Sequence, residues 1–203
     1  MLSDVTQADL QALVAARFAR SMQAPETFFT DEAEHIAEAC WAMARRFQQQ
    51  GRLLAFGNGA SATDAQHVSV EFVHPVIVGK RALPALSLTN DSATLSSQFE
   101  GPGESAFVRQ INVLAHPEDI ALGFSLDGNS YQIAAALRTA RGKGLLTLAL
   151  TGGQGGLLRA SEVDYCFVVP SCDPMVVQET HETLYHILWE LVHIFFEHEG
   201  LFT

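Results

Sequence analysis

The chain has 203 residues, 48% of them hydrophobic and 17% charged, which suits one α/β domain able to bury its own core without a covalent staple. A formal net charge of −11 argues against duplex nucleic acid or anionic lipid as partners, and any anionic ligand must be held locally by N–H groups and hydroxyls. Cys40, Cys166 and Cys172 are odd in number and form no CxxC, so a disulfide framework is not expected and a reducing, cytoplasmic setting is.

Residues 1 to about 50 read as helical. The stretch Met1–Leu10 has no basic or apolar leader pattern, so no signal peptide is expected, and no apolar run approaches the roughly 20 residues that span a bilayer. Leu10, Leu13, Val14, Phe18 and Met22 recur loosely at helical spacing until Pro25, where a break is expected. Ile36, Cys40, Met43 and Phe47 repeat the pattern from Asp31 to Gln50. These helices are expected to pack on a sheet or on a neighbouring subunit, as an extension of a single domain spanning 1–203.

The pattern then changes. Leu53–Phe56 is a short buried strand closed by Gly57, and a helix follows over Ser61–Phe72. Ala82–Leu88, Asp119–Ser125, Leu145–Leu150 and Tyr165–Val169 read as four more strands. A helix follows the third strand as far as Arg141, and a last one covers Met175–Glu197. Glu100–Glu104 reads as a loop, Glu197–Thr203 as a short tail, and His193 and His198 as surface or interface residues. Strands alternating with helices predict a parallel sheet with helices on both faces, a three-layer αβα sandwich with a five-stranded sheet. Ligands in such sheets bind beyond the carboxyl ends of the strands. Three polar loops fall there: Gly57–Ser61, Thr89–Ser92 and Ser125–Ser130.

The first loop, Gly57-Asn58-Gly59-Ala60-Ser61-Ala62, is neither GxGxxG nor a Walker A loop, because no Lys follows. Ser61 is expected to cap the helix and to offer a hydroxyl to an anion. The loop Ser125-Leu126-Asp127-Gly128-Asn129-Ser130 is its counterpart, and two such loops in register suit a phosphate. Asp127 opposes this, since a carboxylate about 4 Å from a phosphate costs about 1 to 4 kcal/mol per charge pair. His67 and Glu71 stand four apart on one helix face, a spacing for metal ligation or acid–base work. On the last helix, geometry alone pairs His186 with Glu182 or Glu179. Gln178 lies about 80° off that face and periodicity does not select it.

The string FGNGASATDAQHVSVEF, from Phe56 to Phe72, resembles the phosphoheptose isomerase branch of the SIS (sugar isomerase) fold, whose pattern is close to GNGGSAxDAQHxAxEL. LPALSLTNDSA, GFSLDGNS, LTGGQGG and VQETHETLYHILWELV extend the resemblance over about residues 32–197. It implies a homotetramer with active sites at subunit interfaces. The implied reaction is conversion of sedoheptulose 7-phosphate into D-glycero-D-manno-heptose 7-phosphate by acid–base enediol chemistry. Some members bind zinc, and motif position carries its ligands onto His67, Glu71, Gln178 and His186. The acid–base pair falls on Glu71 and His186. Sugar-phosphate contacts fall on Asn58, Gly59, Ala60, Ser61, Asn90, Asp91, Ser125, Leu126, Asp127 and Ser130, with Glu71 and Gln178.

Two departures stand out. Leu126 and Asp127 replace two hydroxyl residues of the usual STSGNS loop. Glu71-Phe72-Val73-His74-Pro75 lacks the Arg that commonly follows the motif Glu. The alternative to an isomerase is a non-catalytic SIS protein, either a sugar-phosphate sensor or a partner of a replication initiator. The four metal-type residues favour catalysis, and Asp127 and Pro75 favour the alternative.

Overall fold

The computed structural model describes residues 6–97 and 104–198; the expected loop over 100–104, the tail beyond Glu197 and the start of the chain fall largely outside them. Five strands form one parallel sheet: β1 (Leu53–Gly57), β2 (Ala85–Ser87), β3 (Ile120–Ser125), β4 (Leu146–Gly152) and β5 (Tyr165–Val169), in the order β2-β1-β3-β4-β5. Successive side chains of a strand point to opposite faces, so β1 feeds two cores. Leu53 and Ala55 pack with α2 (Ala33–Gln48), α3 (Ala60–Val73) and α8 (Pro174–Glu197). Leu54 and Phe56 pack with α5 (Ala106–Leu114) and α6 (Tyr131–Gly142). Both faces are therefore covered, which is why the strands read as continuous apolar runs.

Two short helices, α4 (Ser92–Ser96) and α7 (Gly156–Ala160), were not legible as elements. The strand order reverses between β1 and β3, and the crevice at that switch point is where a parallel sheet offers a ligand site.

Four expectations are corrected. Pro25 does not end the first helix: α1 runs Gln7–Asp31 through it. The proline forfeits its own N–H bond, but Phe28 and Phe29 dock the following turn on the core and hold it helical. The second strand is Ala85–Ser87 rather than Ala82–Leu88, because Leu83 donates its N–H to Phe72 at the end of α3 and Pro84 has none to give the ladder. Ser61 does not cap α3. Gly59 holds that position at φ 59°, and Ser61 is buried inside the first turn. His193 is buried, not on the surface: its Nδ1 lies 2.7 Å from Trp189 O and its Nε2 2.9 Å from Arg81 O.

In α2 the apolar period has its expected consequence, burying Ile36, Cys40, Met43 and Phe47. In α1 only Phe28 is buried, and Leu10, Leu13, Val14, Phe18 and Met22 stand exposed along the chain.

Candidate active site

The carboxyl ends of β1 and β3 are level, with Gly57 opposite Phe124, so the loops that follow meet over the switch point. Gly57 must be glycine: a Cβ there would lie 2.5 Å from the carbonyl oxygen of Ser61. The first loop is thereby folded tightly back onto its helix. Asn58 reaches across to the other loop, donating from Nδ2 to Gln132 Oε1 at 2.9 Å and to Ser130 Oγ at 3.3 Å. Gly57, Asn58, Gly59, Thr89 and Gln132 line a cleft of about 230 Å³. Asp91, exposed beside Asn90, caps α4 by accepting from the N–H groups of Ala93 and Thr94. Hydrogen bonds from Thr94 hold its carboxyl below the usual range.

The second loop is braced from behind. Gly128 has φ 74°, and a Cβ would lie 2.1 Å from the carbonyl oxygen of Gly155 in the Gly-rich turn after β4. Asp127 does not project into the cleft as a free charge. Its Oδ1 accepts from Asn129 N–H at 2.9 Å and from Ser125 Oγ at 3.3 Å. The Asn129 N–H foremost, with the Ser125 hydroxyl assisting, keeps the carboxyl ionised below its ordinary value. The carboxylate therefore occupies donors of the kind an anion would use. Ser130 caps α6, its Oγ accepting from Ile133 N–H.

A second group forms where α3 meets α8. The four-residue spacing puts His67 and Glu71 on one face of α3, and α8 presents His186 to them. Glu71 Oε1 lies 3.1 Å from His186 Nε2 and 3.4 Å from His67 Nε2. His186 Nε2 is buried and meets the Glu71 carboxylate as a close ion-pair contact rather than a regular hydrogen bond. On the other edge of the His67 ring, Nδ1 lies 2.8 Å from Tyr185 OH and 3.6 Å from Glu182 Oε1. One ligand atom from each of His67, Glu182 and His186 lies within 4.8 Å of the others. The Trp189 indole N–H donates to the backbone oxygen of Glu71 at 3.0 Å, fixing the two helices together at this level.

Gln178 stands apart from this trio. Its Nε2 donates to Asp64 Oδ1 at 3.1 Å and lies 3.2 Å from Ala60 O. Asp64 is buried, which pushes its carboxyl up to about 6 against the opposing pull of the Gln178 amide; Glu182 adds to the rise. Asp64, His67, Gln178, Glu182 and Tyr185 line a groove of about 350 Å³.

These positions fit known proteins. A family model described as SIS domain matches residues 17–152. The phosphoheptose isomerase of Solidesulfovibrio magneticus is 40% identical over 187 residues, covering 91% of each chain. That of Pelobacter propionicus is 39% identical over 194 residues, covering 95% of this chain and 97% of its own.

The chain belongs to the SIS domain family, in its phosphoheptose isomerase branch.

Two solved SIS structures agree with the fold. The phosphoheptose isomerase of Francisella tularensis superposes with a TM-score of 0.84 at 29% identity over 94% of this chain and all of its own. That of Neisseria gonorrhoeae gives 0.81 at 31% identity over 90% of this chain and 98% of its own. Within the SIS motif of this chain, His67, Glu71 and His186 are brought together and Asn58 is joined to Ser130. Three participants, Gln132, Asp64 and Tyr185, are not singled out in the sequence, and Glu182, paired there with His186, is also a neighbour of His67. Asp64 lies within the DAQH string, and Glu182 stands four residues before His186, so both carried a local signal. Gln132 carried none, because its partner Asn58 comes from a distant loop.

Proposed function

We propose that this SIS protein is an aldose–ketose isomerase of a phosphorylated sugar, converting sedoheptulose 7-phosphate into D-glycero-D-manno-heptose 7-phosphate. The relatives named phosphoheptose isomerase match it nearly end to end, which favours the isomerase over the regulatory alternative. The observation that carries the reading is the Glu71 carboxylate, nearly buried and flanked by two imidazole nitrogens. Moving a carbonyl from C2 to C1 needs a base to take the C1 proton, an acid to return a proton at C2, and an enediol between them. Glu71 and His186 are the pair assigned to this work. Asn58, Gly59, Ala60, Ser61, Asn90, Asp91, Ser125, Leu126, Asp127, Ser130 and Gln178 are the proposed substrate contacts, with Gln132 added by its place in the cleft.

The donor set suits zinc. Two imidazoles and a carboxylate are its usual ligands, and His186 Nε2 is a buried nitrogen set beside the Glu71 carboxylate without a regular hydrogen bond. His67, Glu71 and His186 are the proposed ligands, with Gln178 as the fourth that the family pattern offers. Bound there, zinc would polarise the sugar carbonyl.

We also read the whole chain as one SIS domain assembled into a homotetramer. The exposed apolar residues of α1, from Leu10 (55% exposed) to Phe18 (67%), support a partner subunit there. The three cysteines form no disulfide, which is consistent with work in the cytoplasm. No helix among the described residues is long and apolar enough to cross a membrane.

Turnover in D2O tests the chemistry. An enediol route places deuterium at C2 of the aldose product. Product formed without solvent deuterium would point to direct hydride transfer and contradict the reading.

A further inference from the structure

Thr89, Leu95 and Ser97 line one side of the cleft that Asn58 and Gln132 line on the other. They belong to the segment that leaves β2, and Asn90 and Asp91, two of the proposed substrate contacts, lie within it. This side is carried by an edge strand. β2 gives three residues to the ladder and is bonded to β1 alone.

The hydrogen bonds show where its support stops. Leu88 N–H donates to Ala55 O at 2.9 Å, and Leu88 O accepts from Gln110 Nε2 on α5 at 2.9 Å. Thr89 Oγ1 accepts from Gln66 Nε2 on α3 at 3.1 Å and lies 2.6 Å from Ser87 Oγ. From Asp91 onward the bonds close within the segment. Asp91 takes the N–H groups of Ala93 and Thr94, Leu95 N–H donates to Asp91 O, and Ser97 N–H donates to Thr94 O. Among the described residues, Thr89 is thus the last point at which a hydrogen bond ties this side of the cleft to another element.

The tether comes from a helix that already serves the site. His67 and Glu71 face His186 on α8. Gln66 is one residue earlier, about 100° around α3, and meets the end of β2 instead. Gln66 is exposed and Thr89 is buried. Thr89 keeps Ser87 as a partner if the amide is lost, so the tether can be cut without stranding a buried hydroxyl.

We propose that Gln66 is a positioning residue for substrate binding. Acting through Thr89, it holds the Asn90–Asp91 side of the cleft in register with Glu71, which the same helix carries. The consequence for the substrate rests on the isomerase reading, but the tether is a property of the unliganded protein.

The test compares the full chain as wild type, Gln66→Leu, Thr89→Val and the double variant, each shown to be folded by its melting temperature. Hydrogen exchange, followed by mass spectrometry without substrate, reads residues 90–97. KM and kcat are measured on sedoheptulose 7-phosphate. Gln66→Leu should speed exchange over 90–97 by about fivefold, the worth of one neutral hydrogen bond, and leave α3 unchanged. KM should rise by a similar factor with kcat unchanged, the mark of lost uniform binding. In the Thr89→Val background Gln66→Leu should add nothing to either readout, because the two residues share one bond.

Unchanged exchange over 90–97 in Gln66→Leu, or an equal rise in the Thr89→Val background, would overturn the inference. Faster exchange with an unchanged KM would overturn the positioning role, and a fall in kcat alone would mean that Gln66 acts on its neighbour His67. A wild type that turns over no substrate would sink the proposed reaction, while exchange would still decide whether Gln66 holds the segment.

Discussion

Glu71 Oε1 lies 3.1 Å from His186 Nε2, although the two residues are 115 positions apart in the chain and sit on different helices. The backbone oxygen of Glu71 is tied separately to the Trp189 indole. The carboxylate can therefore be neutralised without releasing α3 from α8. Glu71→Gln should lower turnover by between about a hundredfold and about ten-thousandfold, the usual contribution of a proton-transferring side chain. Its melting temperature should stay near that of the wild type. A variant that loses activity only because it melts would separate Glu71 from the chemistry.

Asp127 accepts from Asn129 N–H and Ser125 Oγ, donors that an incoming anion would compete for. Asp127→Ser frees them and removes a like charge. At water-like dielectric a charge about 4 Å away is worth about 1 kcal/mol, or roughly fivefold in affinity. Calorimetric titration with the sugar phosphate should find Asp127→Ser tighter by about that factor, more so at low salt. Equal or weaker binding would show that the carboxylate does not oppose the phosphate.

Arg52 and Asp119 fasten the amino-terminal end of the sheet, away from the site. The buried Asp119 carboxylate takes hydrogen bonds from Arg52 N–H at 2.8 Å, Arg52 Nη2 at 2.7 Å and His116 N–H at 2.9 Å. Burial pushes this carboxyl up, but the Arg52 and His116 bonds outweigh it and the net shift is downward. A lowered carboxyl contributes stability that is present above its unfolded value, near pH 4, and lost as the pH falls through the folded one. Asp119→Ala strands several donors and should cost about 3 kcal/mol in urea unfolding at neutral pH. The difference from the wild type should shrink below about pH 4.

His181 works in the opposite pH range. Its ring is fully buried, and burial pushes it down to about 4 despite the pull of the Thr151 carbonyl, 3.2 Å from Nε2. The unfolded chain binds that proton near pH 6.5, so the native state loses stability as the pH falls from about 6.5 toward 4. His181→Gln keeps a donor for the carbonyl and does not titrate. Its melting temperature should fall less steeply across that window than the wild type's. Parallel curves would mean His181 does not govern acid stability.

Much of this was legible in the residues. Apolar runs such as Asp119–Ser125 announce their strands because both faces of the sheet are covered; β3 begins one residue later, at Ile120, and β5 matches its run residue for residue. The pairing of His67 with Glu71 followed from helical spacing alone. What the sequence does not announce depends on contacts between distant segments. The second strand is short because Leu83 N–H goes to α3, and Pro25 is carried because Phe28 docks beyond it. The site lost the same kind of information. Gln178 was placed by motif position, yet its amide nitrogen is held by Asp64 on α3, a pairing no local pattern announces. Asp127 reads in the sequence as a charge that opposes a phosphate, and its turn onto its own loop, where Asn129 N–H and Ser125 Oγ meet it, is not visible there.

The central claim is that this chain isomerises a phosphorylated ketose through Glu71. The most direct test is a 13C NMR time course on sedoheptulose 7-phosphate with wild-type protein and Glu71→Gln side by side. The account predicts loss of the C2 ketose carbon and growth of the C1 aldose signal with the wild type, and neither with the folded variant. No conversion by zinc-supplemented wild type, or equal conversion by Glu71→Gln, would contradict it.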